Sequence, residues 1–265
     1  DFAATTIADF TFIVNKNKTV LKSNTVSATR PFEAIYSVKQ GNANTEYNIV
    51  INGTTYTYTT TGTASSHQAT EIVDQLVSAI GSLSGFTITD LGTDIYIANS
   101  SSDFTISASD GFGSQASQVI KGETNAFSDL PQRAVNGMVV EIAGSPDNTF
   151  DNYYVVYESA NNTDVGVWKE TVEPGLKNNF DLDTMPHVLI RTADNNFRFT
   201  EVDGSNYTIS GTQYSVPNYE GRIVGDEISA SDPSFVNSKI NDVFLYRNRL
   251  GFIAGENIIL SRSGD

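Results

Sequence analysis

A chain of 265 residues without a single cysteine has neither disulfides nor thiolate metal ligands, so one large or two moderate hydrophobic cores must hold it together. Its 16 Lys and Arg stand against 31 Asp and Glu, and the resulting net charge of −15 repels phosphate and disfavours nucleic-acid binding through counterion release. No apolar run approaches the roughly 18 residues of a membrane span, no signal-peptide pattern opens the chain, and the absence of cysteine suits a reducing cytoplasm.

The predicted elements begin with a strand region over residues 1–22, closed by a polar turn at Asn15–Lys18, and a loop to Arg30-Pro31. The next segment alternates, with Phe32, Ala34, Tyr36 and Val38 facing one way and Glu33, Ser37 and Lys39 the other. Tyr47, Ile49 and Ile51 lead into Asn52-Gly53, and Tyr56 and Tyr58 return. Asn-Gly between alternating runs is the strongest short hairpin signal, because both residues tolerate positive φ. Ile72, Val73, Leu76, Val77 and Ile80 share one face at helical spacing, predicting a helix over residues 67–80 with Gly81 as its C-cap and a capping box at Ser65 and Gln68. That face reads as core. Strands follow at 86–89, 94–98 and 104–108.

From Leu130-Pro131 onward the chain is nearly all strand: 139–142, 153–157, 167–170, 188–191 and 197–201, with Asn/Asp/Gly turns between them. This spacing predicts a sandwich or barrel. Residues 204–232 are polar and rich in Ser, Gly and Tyr, which predicts a loop or projecting hairpin. The run PSFVNSKINDVFLYRNRLGFIAGENIILSR, 233–262, reads as an antiparallel meander. Within it NDVFLYRNRL aligns with ADFTFIVNKN at 8–17, pairing Asp9 with Asp242, Phe12 with Leu245, Asn15 with Asn248 and Lys16 with Arg249. Strand units repeated near both termini suggest propeller blades flanking a long insertion. The acidity is concentrated between them: residues 41–238 carry seven basic and 25 acidic groups, and no Lys or Arg lies between Lys39 and Lys121.

Few residues invite chemistry. His67 and His187 lack spaced partners for a metal and read as structural. Asp147, Asp151 and Asn152, or Asp181 and Asp183, are oxygen donors that a Ca²⁺ site would need, but neither group has the spacing of a Ca²⁺ loop, and both read as turns. Paired acids beside Tyr and Trp168 could serve a glycosidase, yet spacing along the chain does not place carboxylates across a groove. No phosphate loop or nucleophile elbow is present. The expectation is no catalytic residue, metal or cofactor.

Several blocks together carry a family resemblance. ADFTFIVNKN, NGMVVEIAG, NYYVVYE, VWKET, DTMPHVLIRTADNNFRF and INDVFLYRNRLGF occur in one order, and the chain resembles the tail tubular protein B (tail nozzle) family of short-tailed podovirus bacteriophages. The match covers residues 8–17 and most of 130–262. It is only in outline over 24–127, and 204–232 hardly match. Members are several times longer and this chain lacks an initiator Met, so it reads as an internal fragment, expected to be monomeric alone.

The resemblance and the pattern together predict a mainly β protein with one clear helix, a β-rich α+β fold. Residues 1–30 would be a propeller-like β segment, 31–127 an inserted sheet-plus-helix module, 128–232 an inserted all-β module, and 233–265 the return to the propeller-like body. The resemblance implies a non-enzymatic virion tail component assembled in the host bacterial cytoplasm. Its full-length form would be a homo-oligomeric ring bound to a tail adaptor protein and tail fibre proteins. Phage DNA would pass through without specific binding when the tail meets the host cell envelope. The alternatives are a binding module for a host-surface glycan or for tail fibres, with Tyr56, Tyr58 and Trp168 as an aromatic platform, and a cell-wall or capsule polysaccharide hydrolase.

Overall fold

The computed structural model describes residues 1–144, 152–160 and 165–262, and it is mainly β with one α-helix among them. The chain opens with β1 (Phe2–Ile7) and β2 (Phe10–Asn15), followed by β3 (Phe32–Val38), β4 (Glu46–Ile51) and β5 (Thr54–Thr59). Helix α1 (Ala69–Ile80) comes next, then β6 (Phe86–Asp90), β7 (Asp94–Asn99), β8 (Ile106–Asp110), β9 (Ser117–Ile120) and β10 (Glu123–Thr124). After β11 (Val139–Ile142), β12 (Tyr153–Glu158) and β13 (Val167–Thr171) come β14 (His187–Arg191), β15 (Phe197–Thr200), β16 (Asn206–Ile209) and β17 (Thr212–Ser215). The chain closes with β18 (Asp242–Tyr246), β19 (Arg249–Ala254) and β20 (Asn257–Leu260). Two compact units result: a central unit of Ala28–Pro174 and Val224–Ser229, and a terminal unit of Asp1–Ser27, Gly175–Ile223 and Ala230–Asp265.

In the central unit the Asn-Gly signal produces the predicted hairpin. Asn52 and Gly53 sit at φ 49° and 80°, and Ile51 pairs directly with Thr54, a two-residue loop whose twist matches that of its strands. β4 then alternates as written, with Tyr47, Ile49 and Ile51 buried, in the sheet β5-β4-β8. Helix α1 lays Ile72, Val73, Leu76 and Ile80 into the same cluster as these residues and as Ala34, Tyr36, Ile95 and Ile97. Burying each such side chain stabilises by about 1.5–3 kcal/mol. Gly81 at φ 58° caps the helix, its N–H reaching the Val77 carbonyl at 2.9 Å.

One expectation needs correction here. The capping box is absent: Ser65 lies in a separate 3-10 turn, Ala64–His67, and the N-cap Gln68 makes no side-chain capping bond. The break between turn and helix leaves Ser65 without a helical N3 position to reach. Strand β3 alternates as its sequence indicates, and both of its faces are covered, with every residue from Glu33 to Val38 buried. Its sheet, β6-β7-β3-β9, is a middle layer. One face packs Tyr36 into the helix cluster, and the other packs Ile35 and Tyr96 against Met138, Val140, Val155 and Tyr157 around the sheet β10-β11-β12-β13.

In the terminal unit the sheet β1-β2-β14-β15 and the meander β18-β19-β20 turn their inner faces onto one core. Phe12, Val14, Val188 and Ile190 come from the first, Val243, Phe252 and Ala254 from the second. Thr19 bridges to Lys239, and β1 runs close to β18. The two ends of the chain therefore meet in one body, as the repeated pattern suggests, but in two sheets rather than one. The matched strands differ in position: β2 is interior, between β1 and β14, and β18 is the first strand of its meander. Asp232 ties the segments together, taking Lys22 and Arg222, each at 2.8 Å. Residues 204–232 contain the hairpin β16–β17, turned at Ser210-Gly211. The sheets in the described residues are open, so of the sandwich or barrel that the strand spacing predicts no barrel closes, while the two sheets of the terminal unit face each other across one core.

At Gly251 in β19 the backbone lies under the Phe244 ring, and a Cβ there would fall 2.4 Å from it. The aromatic residue opposite covers the gap that glycine leaves in the strand.

Candidate functional site

The most built polar site lies in the central unit, at the start of β3. Glu33, 6% exposed, receives the fork of Arg30 at 3.0 and 2.8 Å, the Tyr96 hydroxyl at 2.7 Å and the Val139 N–H at 3.3 Å. β3 supplies the carboxylate, β7 the phenol and β11 the backbone donor, so one side chain joins three strands. Burial, followed by the neighbouring Glu33 carboxylate, pushes the Tyr96 hydroxyl well above its usual range. Every bonding direction of the carboxylate is taken, which suits a staple and leaves none for substrate. Beside it opens a cleft of about 330 Å³, lined by Arg30, Glu33, Lys121, Val139, Glu141 and Tyr154 among others. Both cations are already engaged, Arg30 by Glu33 and Lys121 by Asp103 at 2.6 Å and by the Phe104 carbonyl.

A second polar cluster surrounds the segment Val224–Ser229. Gly225 docks on the end of β13, accepting from Glu173 at 3.1 Å and donating to Thr171 at 3.0 Å. Asp226 folds the segment on itself, taking the N–H groups of Ile228 at 2.7 Å and Ser229 at 2.5 Å. Glu173 titrates above its ordinary value, chiefly because it is buried and then because Asp226, Glu141 and Glu227 repel its charge. Glu141 is held by Asn152 at 2.8 Å and Tyr154 at 3.3 Å. Among the described residues no group of three or more His, Asp or Glu is placed to hold a metal ion.

The remaining sequence candidates do not converge. His187 sits 3.0 Å from the Met185 carbonyl through Nδ1 and stacks on Phe199 at 5.1 Å, while His67 ends the 3-10 turn before α1. Asp181 starts a 3-10 turn whose Thr184 N–H and hydroxyl both bond its carbonyl, and Asp183 lies against Glu201. Asp147 and Asp151 lie outside the described residues, and Asn152 serves Glu141. The aromatic platform is dispersed: Tyr56 and Tyr58 pack on the helix cluster, with the Tyr58 hydroxyl on the Ser66 carbonyl at 3.2 Å. Trp168 packs edge-on to Tyr157 and donates to the Pro131 carbonyl at 2.8 Å. Sequence reading missed Arg30, Glu33 and Tyr96, although Ile35 on the supposedly polar face of β3 was a sign that this face is covered.

Like carboxylates also meet at Asp74 on α1 and Asp90 on β6. Burial first, and then the adjacent Asp74 carboxyl, raise the pKa of Asp90. A raised acid favours the folded state below its unfolded pKa, and this contribution is lost as pH rises through the folded value. Asp74→Asn removes the repulsion, so it is expected to raise the melting temperature at pH 7, with the gain shrinking as pH falls and Asp90 takes up its proton. An unchanged or lower melting temperature at pH 7 would mean that solvent screens the pair.

Charge divides sharply between the units. The central unit has five basic and 19 acidic residues, a net of −14, whereas the terminal unit has 11 and 12, a net of −1. Stapled sheets, paired polar side chains and a division of the chain into a strongly acidic and a nearly neutral unit are features of a β-rich structural component. The bacteriophage nozzle protein family model matches residues 1–265, and the chain belongs to that family. It is 32% identical over 277 aligned positions to the tail tubular protein gp12 of Escherichia phage T7, covering 99% of this chain. The chain spans about a third of that relative's length, 32%.

Proposed function

We infer that this chain is part of the wall of a short phage tail, in a protein that assembles as a ring and conducts DNA during ejection. The observation that carries the reading is the family match along the whole chain, supported by the 32% identity to a tail tubular protein. The reading is mechanical rather than catalytic. A strongly acidic central unit repels the phosphates of a passing duplex, which suits a conduit that must not retain DNA. The terminal unit contains residues from both ends of the chain, and its strands would belong to a propeller-like body, with most of 31–174 as the inserted part. The partners would be other copies, a tail adaptor, tail fibres and, at ejection, the host envelope. The location would be the virion tail, after assembly in the bacterial cytoplasm. Electron microscopy of the full-length protein is expected to show rings with a central channel. Dispersed particles without a channel would reject the reading.

A further inference from the structure

The segment Val224–Ser229 lies in the polar stretch after β17 and belongs to the central unit. Gly225 forms a parallel bridge with Val172, just beyond the end of β13. Its N–H reaches the Thr171 carbonyl at 3.0 Å, and its carbonyl takes the Glu173 N–H at 3.1 Å. β13 is the outer strand of the sheet β10-β11-β12-β13, so this short contact covers the end of an edge strand.

The register decides which side chains meet. With Val172 opposite Gly225 in a parallel pair, Glu173 stands opposite Asp226, on neighbouring backbones about 4.8 Å apart. Glu173 shares a sheet face with Thr171, two residues back, and Thr171 lies in line with Tyr154 and Glu141. Asp226 cannot swing away, because its carboxylate takes the N–H groups of Ile228 and Ser229 and the Ser229 hydroxyl. Glu227 follows it in the chain. Carboxylates from β11, the end of β13 and the docked segment are thus close enough to act on Glu173 together. The cations that line the adjoining cleft, Arg30 and Lys121, are held by Glu33 and by Asp103. Like charges opposite one another weaken a strand pair, and here the pair is a single bridge.

We propose that Val224–Ser229 is a charge-operated strap, held on the end of β13 while Glu173 is protonated or screened and released as Glu173 ionises against Asp226. Release frees the Thr171 carbonyl and the Glu173 N–H and uncovers the strand edge to which they belong. In the docked state burial first, and then repulsion from Asp226, Glu141 and Glu227, raise the Glu173 pKa. A carboxyl raised on docking favours the docked strap below its ordinary value, and that preference is lost as pH rises through the raised value. The device is independent of the ring reading.

The test is hydrogen exchange of the 265-residue chain resolved to single amides, expressed as protection against the intrinsic rate at about pH 4.5 and about pH 7.5. The Gly225 and Glu173 amides are expected to lose protection about threefold or more at the higher pH. The Tyr157 amide, bonded to the Met138 carbonyl at 2.8 Å in the same unit, should keep its own. Added salt should restore part of the loss at the higher pH and do little at the lower. Glu173→Gln should remove the pH step and leave the strap protected at both values, with a circular dichroism melt near wild type showing that the fold is intact. Glu227→Gln, at an exposed position, should shrink the step, and it keeps the test decisive if Glu173→Gln does not fold. Equal protection at the two pH values in wild type, a full step retained in the variants, or no response to salt would overturn the proposal. A parallel loss at Tyr157 would also overturn it, because the response would then belong to the whole unit and not to the strap.

Discussion

Glu33→Ala is expected to destabilise the central unit by about 3–5 kcal/mol, measured by chemical denaturation at neutral pH. The carboxylate holds the Arg30 fork, the Tyr96 hydroxyl and the Val139 N–H together, and its removal leaves all three without this partner. The Tyr96 hydroxyl is buried, so its loss of a hydrogen bond is not made good by water. Glu33→Gln keeps an acceptor for Tyr96 and should recover part of the loss, although its amide nitrogen faces the guanidinium. A cost for Glu33→Ala below about 1 kcal/mol would place the network in the range of exposed ion pairs and remove its role as the joint between β3, β7 and β11.

Leu76→Ala in α1 is expected to cost about 2–5 kcal/mol. Leu76 is fully buried in the cluster shared by α1, β3, β4 and β7, where the surrounding strands can close only part of the resulting cavity. The value falls toward the upper end if the sheets stay fixed and toward the lower end if α1 settles inward. A near-neutral effect on melting would show that the apolar helix face is not core and is free to bind a partner. The two substitutions act on different clusters, one on each face of the β3 sheet. A double variant that departs from additivity would mean the faces are coupled through β3 itself.

The local elements were legible because their causes are local. Asn52-Gly53 adopts positive φ wherever it stands between alternating strands, and Ile72, Leu76 and Ile80 share a face at any helical spacing. The ends of α1 were less so: the C-cap follows from Gly81, while the predicted capping box failed because a separate 3-10 turn precedes the helix. The ordered blocks from ADFTFIVNKN to INDVFLYRNRLGF also sufficed for the family, since a series of specific blocks survives where single residues change.

What the sequence could not express was how many layers lie against each strand. Alternation along β3 reports which residues share a face, but it does not say whether a second sheet covers the polar one, and here β11 and β12 do so from more than a hundred residues away. That covering makes Glu33 the centre of the polar network. Tertiary structure alone also separated the acidic central unit from the neutral terminal one, because the terminal unit draws segments from both ends of the chain and from its middle. Propensity and turn chemistry act within a few residues. Burial of a charge and the sign of a surface depend on which distant segments pack together.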